Sequence, residues 1–320
     1  MPTAPLPETP LHRALRQRLR LPVVVAPMFL VSGPDLVIAS CRSGVIGSFP
    51  TLNARTPEIL GDWFSQIEAA CGPDAFYAAN LILHKTNTRR DTDLEVIVRH
   101  EVPLVIASVG SPEGVAERIH EYGGWVLADV ATLRHARKAV AAGVDGLILL
   151  TAGAGGHTGW LNPFAFLSAV REFFSGPVAV AGCIAHGHEL RALEVLGADL
   201  GYMGSAFLAS RESMAPDDHK HAMIKATADD IVLTDAISGL PANFVRSRLE
   251  EVGLIDADGK VVVPSGVKDV TSWQNTWSAG HGVGQVRAIE PVSVIVDRLD
   301  TEYRESATGY RRTGVCKEEQ

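Results

Sequence analysis

The chain has 320 residues, 46% of them apolar and 21% charged, the balance of an ordinary globular protein. Its net charge of −8, with no basic stripe carrying interleaved aromatics, argues against nucleic acid as a partner. No apolar run reaches roughly 18 residues, so no membrane span is expected.

The N-terminal stretch Met1 to Pro10 is rich in proline and threonine and has no long apolar core, so no signal peptide is expected. Short apolar runs then alternate with helical patterns from residue 22 to about residue 210. The candidate strands are Pro22–Ala26, Val45–Ser48, Phe76–Asn80, Leu104–Ala107, Trp125–Ala128, Gly146–Leu150, Val178–Ala181 and Leu200–Met203. They lack polar alternation, as strands buried on both faces should. Between them lie amphipathic stretches such as Thr132–Ala142, with Thr132 as N-cap and Gly143 as stop, and His186–Leu196, closed by Gly197. Eight such β/α units predict a (β/α)8 TIM barrel, with a doubly wound sheet as the alternative. The pattern changes near Glu212. Residues 213–285 read as a smaller, mostly helical substrate domain or lid, with helical signals through Ile231, a bend at Gly239-Leu-Pro241 and a loop-like stretch over Ile255–Val270. The Arg246–Arg248 stretch reads as a solvated helix face. A last helix over Pro291 to about Glu305 returns to the barrel wall, so residues 1–212 and 286–320 are assigned to the barrel. The four cysteines (Cys41, Cys71, Cys183, Cys316) lack the spacing of a zinc site or a disulfide framework. They fit a reducing compartment, and a cytoplasmic location is expected.

In such a barrel the active site lies at the C-terminal ends of the strands. Four of these ends carry candidates. Ala26, Pro27 and Met28 close the first strand, and methionine offers an adaptable surface to a planar ring. Asn80 closes the third, where a carboxamide can bond a donor and an acceptor of a heterocycle or simply form an Asx turn. The sixth runs into Thr151-Ala-Gly-Ala-Gly-Gly-His-Thr-Gly159, where Gly155 and Gly156 bring backbone close to a ligand and His157 is a titratable group at its edge. Ala181-Gly182-Cys183 ends the seventh and Met203-Gly204-Ser205 the eighth, the pair of loops between which such barrels hold phosphate. Cys183 reads as a small filler before it reads as a nucleophile. The pairs His186/His188 and His219/His221 are two residues apart. They would not share a helix face and have no clear carboxylate as third ligand, so no metal is expected.

The order Ala-Pro-Met28, Asn80, Ala-Gly-Gly-His157, Ala-Gly182, Gly-Ala-Asp199 and Met-Gly204-Ser205-x-Phe-Leu-Ala209, with the late Trp277-Ser-Ala-Gly-His-Gly-Val-Gly284, resembles the nitronate monooxygenase family from about residue 20 to 300. The resemblance implies an FMN-dependent barrel with a helical substrate domain. Pro27 and Met28 would line the flavin, Asn80 would bond its ring, and Gly155 and Gly156 would approach it. Gly182, Gly204 and Ser205 would hold the phosphate, and His157 would be the catalytic base. The implied reaction takes an alkyl nitronate or nitroalkane and dioxygen to a carbonyl compound and nitrite. The alternative on the same barrel is NAD(P)H-dependent reduction of quinones or enoyl thioesters. The expected partners are the small-molecule substrate and dioxygen, with a homodimer as the candidate assembly. Departures from the family pattern fall at Leu150, where Gln or Asp is frequent, and at Gly153, where Glu is. Two more fall at Cys183, where a second glycine is usual, and near Asp129, where some relatives carry Lys.

Overall fold

The computed structural model describes residues 7–262 and 275–308. Residues 1–6 of the N-terminal stretch, 263–270 of the expected loop and 309–320 of the barrel assignment lie outside them. Eight parallel strands form one sheet: β1 (Val23–Val25), β2 (Ser48–Pro50), β3 (Ala78–Ile82), β4 (Leu104–Ser108), β5 (Trp125–Val130), β6 (Gly146–Leu150), β8 (Val178–Ala181) and β9 (Leu200–Met203). The order β1-β9-β8-β6-β5-β4-β3-β2 is that of a barrel. It is joined at the seam by the bridge between Val24 and Ile46, where the Val25 N–H donates to Ile46 and the Ile46 N–H to Val23. Each of the eight expected strands is present. The second is displaced toward its C-terminal end: Ile46 bridges to β1, while Ser48–Pro50 pairs with β3. A Cβ at Gly47 would lie 2.7 Å from the Val37 backbone, so only glycine lets the preceding helix Pro34–Arg42 pack that closely.

The helices begin and end where side-chain chemistry dictates. The Thr132 hydroxyl accepts from the His135 N–H at the start of Leu133–Ala141, and Gly197, in the left-handed region, stops Gly187–Leu196. The N-terminal helix Pro10–Arg18 plugs the lower end of the barrel. Leu11 and Leu15 pack into the interior with Val24, Phe76, Leu104 and Leu127. His12 on the same helix reaches Asp199, which also takes Arg171 at 2.6 Å. The closing helix Val292–Thr308 lies on the barrel wall, burying Val292, Ile295, Val296 and Leu299 against β1 and its neighbours.

A second sheet of three antiparallel strands stands over the C-terminal end: β10 (Ile231–Thr234), β11 (Ala242–Val245) and β7 (Gly156–His157). The expected helix through Ile231 ends instead at Lys225, and the β-branched run Ile231-Val-Leu-Thr pairs with β11. Residues 213–262 and 275–285 therefore combine helices Asp217–Lys225 and Arg246–Glu251 with this hairpin. Arg248 corrects the reading of Arg246–Arg248 as a solvated face. Its guanidinium lies 4.6 Å from the centre of the Trp277 ring, and its Nε donates to the Asn275 carbonyl. Among the described residues no helix is long and apolar enough to cross a membrane.

Candidate active site

Side chains of a strand alternate, so the residues two places above an inward-facing core residue face inward too. The interior core holds Val24, Ile46, Ala78, Ile106, Leu127, Ile148, Ala179 and Leu200, one from each wall segment. The next layer toward the C-terminal mouth is then Ala26, Ser48, Asn80, Ser108, Asp129, Leu150, Ala181 and Tyr202. An apolar layer thus gives way, in one step along every strand, to a layer with five polar side chains.

Those side chains are bonded to each other and to strand ends. Asn80 is 4% exposed, and its amide donates to the Ile106 carbonyl at 3.1 Å and to the Ser108 hydroxyl at 2.6 Å. Ser48 donates to the Val25 carbonyl across the seam. Asp129 is held by hydrogen bonds from Ser108 and from the Val109 N–H, yet burial outweighs both and raises its carboxyl to about 6. Burial likewise pushes the Tyr202 phenol well up, with the Asp129 charge adding to it. Asp129, Ser108 and Tyr202 were not singled out from sequence. Their place depends on strand register, although Asp129 stood out as a departure from the family pattern.

The rim of the mouth is conformationally strained. Among the described residues four non-glycine residues adopt positive φ, and three of them follow barrel strands: Leu30 at 60°, Val109 at 54° and Cys183 at 59°. A β-branched residue such as Val109 is a rare occupant of that region, and such strain clusters at functional sites. The value at Cys183 also explains why glycine is usual there. Cys183 is exposed, which corrects the reading of it as a small filler; its thiol is nevertheless raised by desolvation and by Glu189, which disfavours a nucleophilic thiolate. After β1, Met28 is fixed from both sides: its N–H donates to Ser32, and the Asn53 amide donates to its carbonyl.

The glycine-rich loop is not free. Gly156 and His157 form β7, with His157 opposite Ala242 and the Thr158 N–H donating to Pro241. Asn243 donates to the Ala154 carbonyl, and the His281 N–H to Gly153. Gly155 passes the 279–280 backbone so closely that a Cβ would lie 2.7 Å from the Gly280 nitrogen. Gly153, at φ 87°, would put a Cβ 2.5 Å from the Cys183 sulfur and 2.7 Å from His281 Nδ1. Close approach at Gly153 and Gly155 is therefore required by the chain itself, whereas a Cβ at Gly156 would meet only Ser278, at 3.9 Å. The late segment is clamped in turn: Trp277 stacks on His219 at 4.7 Å with Arg248 against the indole, and the Gly280 N–H donates to the Ser205 hydroxyl. His157 is half-buried, and desolvation lowers its pKa below the ordinary 6.5, so the imidazole is neutral at pH 7.

β8 and β9 are parallel neighbours, so Ala181-Gly182-Cys183 and Met203-Gly204-Ser205 lie side by side. Among the described residues the N–H groups of Gly182, Cys183, Gly204 and Ser205 donate to no protein acceptor. Four such donors over two adjoining strand ends, with the Ser205 hydroxyl beside them, are the donor set a phosphate requires, and they fit a phosphate-bearing cofactor such as FMN.

A family model described as nitronate monooxygenase matches residues 61–257, which is more than half of the chain. The chain belongs to the nitronate monooxygenase family. That family is one of flavin-dependent oxidoreductases. Among solved structures, FabK from Thermotoga maritima superposes with a TM-score of 0.79 at 25% identity, covering 94% of this chain and 98% of that one. Nitroalkane oxidase from Streptomyces ansochromogenes gives a TM-score of 0.78 at 26% identity over 92% and 99% of the two chains. A curated relative from Mycobacterium tuberculosis, named (3aS,4S,5R,7aS)-5-hydroxy-7a-methyl-1-oxo-octahydro-1H-indene-4-carboxyl-CoA dehydrogenase, is 28% identical over 72% of this chain and 64% of its own. The chain spans 42% to 64% of the length of the first curated relatives it matches.

Proposed function

We propose that the protein is an FMN-dependent oxidoreductase that converts alkyl nitronates, or nitroalkanes after deprotonation, to a carbonyl compound and nitrite with dioxygen. One observation carries this reading: an imidazole kept neutral by burial stands at the same barrel mouth as four backbone N–H groups that no protein acceptor uses. Gly182, Cys183, Gly204 and Ser205 would take the FMN phosphate. Ala26, Pro27, Met28, Asn80, Ala181 and the backbone at Gly155 and Gly156 would line the remainder of the cofactor. When bound, FMN supplies the redox chemistry, accepting electrons from the nitronate and passing them to dioxygen. His157, as a neutral base, takes the α-proton of a neutral nitroalkane. Its mounting on β7, rather than on a loop, fixes the ring relative to the mouth. Asp129, with its carboxyl raised to about 6, supplies a group able to exchange a proton near neutral pH in the layer beneath. Residues 213–262 and 275–285 act as the substrate-facing cover, tied to the barrel through β7 and through Gly280.

The second reading keeps the flavin and changes the electron donor to NAD(P)H, with quinones or enoyl thioesters as acceptors. The similarity to a relative named as a carboxyl-CoA dehydrogenase favours it. Anaerobic mixing separates the two. On the first reading the flavin of the purified protein bleaches with a preformed nitronate. Flavin that stays oxidised with nitronate and bleaches with NADH or NADPH would overturn the first reading in favour of the second.

A further inference from the structure

We propose that His186, His188 and Glu302 form a binding site for a zinc-class divalent cation that fastens the closing helix to the loop after β8. One ligand atom from each of the three lies within 4.8 Å of those of the other two. His186 Nδ1 is 3.2 and 3.3 Å from the two Glu302 oxygens, and the two imidazoles are stacked, with centres 4.9 Å apart and planes at 14°.

The spacing of two residues would separate the histidines on a helix, but only one of them is on it. His186 is the N-cap, with extended backbone at φ −129° and ψ 156°, and the helix starts at Gly187. That extended residue brings both rings to the same side, stacked rather than convergent, so the exposed His188 ring turns for its lone pair to meet that of His186 at one ion. The third ligand, a carboxylate, arrives from a helix 114 to 116 residues further on. It is held in place independently of any ion, because Glu302 also accepts from the Gly187 N–H at 2.7 Å. Gly187 lets the two helices touch backbone to backbone: a Cβ there would lie 2.0 Å from the Leu299 carbonyl and 2.4 Å from the Tyr303 nitrogen. Glu189, the nearer carboxylate in sequence, is engaged by the N–H groups of Ala185 and His186, which leaves Glu302 as the third donor.

Two imidazoles and one carboxylate are a zinc-type donor set, whereas magnesium and calcium prefer all-oxygen cages. The site is partly open, with His188 exposed, so solvent completes the coordination. The consequence is structural. The cation cross-links the start of helix Gly187–Leu196 to helix Val292–Thr308 and stabilises the folded chain by mass action.

The test is calorimetric titration of the chelator-stripped full-length protein with zinc chloride, paired with thermal melts. The expected result is one saturable site, a melting temperature raised by zinc, and no competition from magnesium chloride. His188→Ala decides the matter, because that ring contributes only stacking on His186 and its loss leaves the Glu302–Gly187 contact intact. Zinc affinity should fall by roughly tenfold or more in His188→Ala, since losing even an outer-shell partner costs 10- to 100-fold. Glu302→Gln should weaken zinc similarly, and His84→Ala, on an exposed loop, should not. No saturable zinc binding by the wild type, or unchanged affinity in His188→Ala, would overturn the proposal.

Discussion

At the lower end of the barrel strands the interior is sealed by Leu11 and Leu15 of the first helix, packed on Phe76, Leu104 and Leu127. At the upper end the same strands present Ser48, Asn80, Ser108, Asp129 and Tyr202, with three strained residues on the rim. At the lower end the Asp199 charge is paired directly with Arg171 at 2.6 Å, and the pKa of the neighbouring His12 is lowered by burial despite Asp199. At the upper end burial raises the Asp129 carboxyl to about 6 and lowers His157 below its ordinary value. The difference separates two tasks that one sheet performs. On the proposed reading, apolar packing below supplies stability, and the polar groups above, Asp129 and His157 among them, supply chemistry.

The sharpest way to break this comparison is to damage each end and ask what is lost. Leu15→Ala removes a side chain that is 6% exposed from the lower plug and should cost about 2–5 kcal/mol in denaturant melts. Activity per folded molecule should stay near wild type, and a selective loss of activity would show that the lower end is not purely structural. Gly155→Ala acts above. Its new Cβ would stand 2.7 Å from the Gly280 nitrogen, so it should cost about 1–3 kcal/mol and also loosen flavin retention, read as free flavin after gel filtration. Retention equal to wild type would mean that the 275–281 clamp does not shape the site.

Asp129→Asn tests the upper end through pH. A carboxyl with a folded value of about 6, above its ordinary 3.8, favours folding when protonated. Its contribution is fully present below about pH 4 and is lost as pH rises through about 6. The asparagine variant should therefore gain stability over wild type at pH 7, and the gain should vanish near pH 4, in melts at the two pH values. A gain of the same size at both would remove Asp129 from the account. The smallest effect is expected at Cys183→Gly. Relieving a left-handed cysteine, partly offset by the extra freedom of glycine in the unfolded chain, should raise stability by no more than about 1 kcal/mol.

Much of this arrangement is legible in the residues themselves. The strands are short β-branched runs between capped helices, and their ends mark Ala26, Asn80, Gly182 and Gly204. The polar layer is legible only once register is known, because Ser108, Asp129 and Tyr202 carry no local motif and matter through what lies on the neighbouring strands. β7 has only two residues, one of them glycine, so no periodicity announces it, and its register partners lie 85 and 87 residues on. Glu302 is hidden for the same reason: a ligand contributed from a distant helix leaves no spacing to read.

The central claim is that His157 removes the substrate's α-proton from its seat on β7. The measurement that tests it most directly is kcat/KM of His157→Asn for a neutral nitroalkane and for the same compound as preformed nitronate, both relative to wild type. A general base is worth roughly 10²- to 10⁴-fold, so the nitroalkane rate should fall by that amount while the nitronate rate falls far less. Equal losses on both substrates would contradict the account and leave His157 a positioning residue.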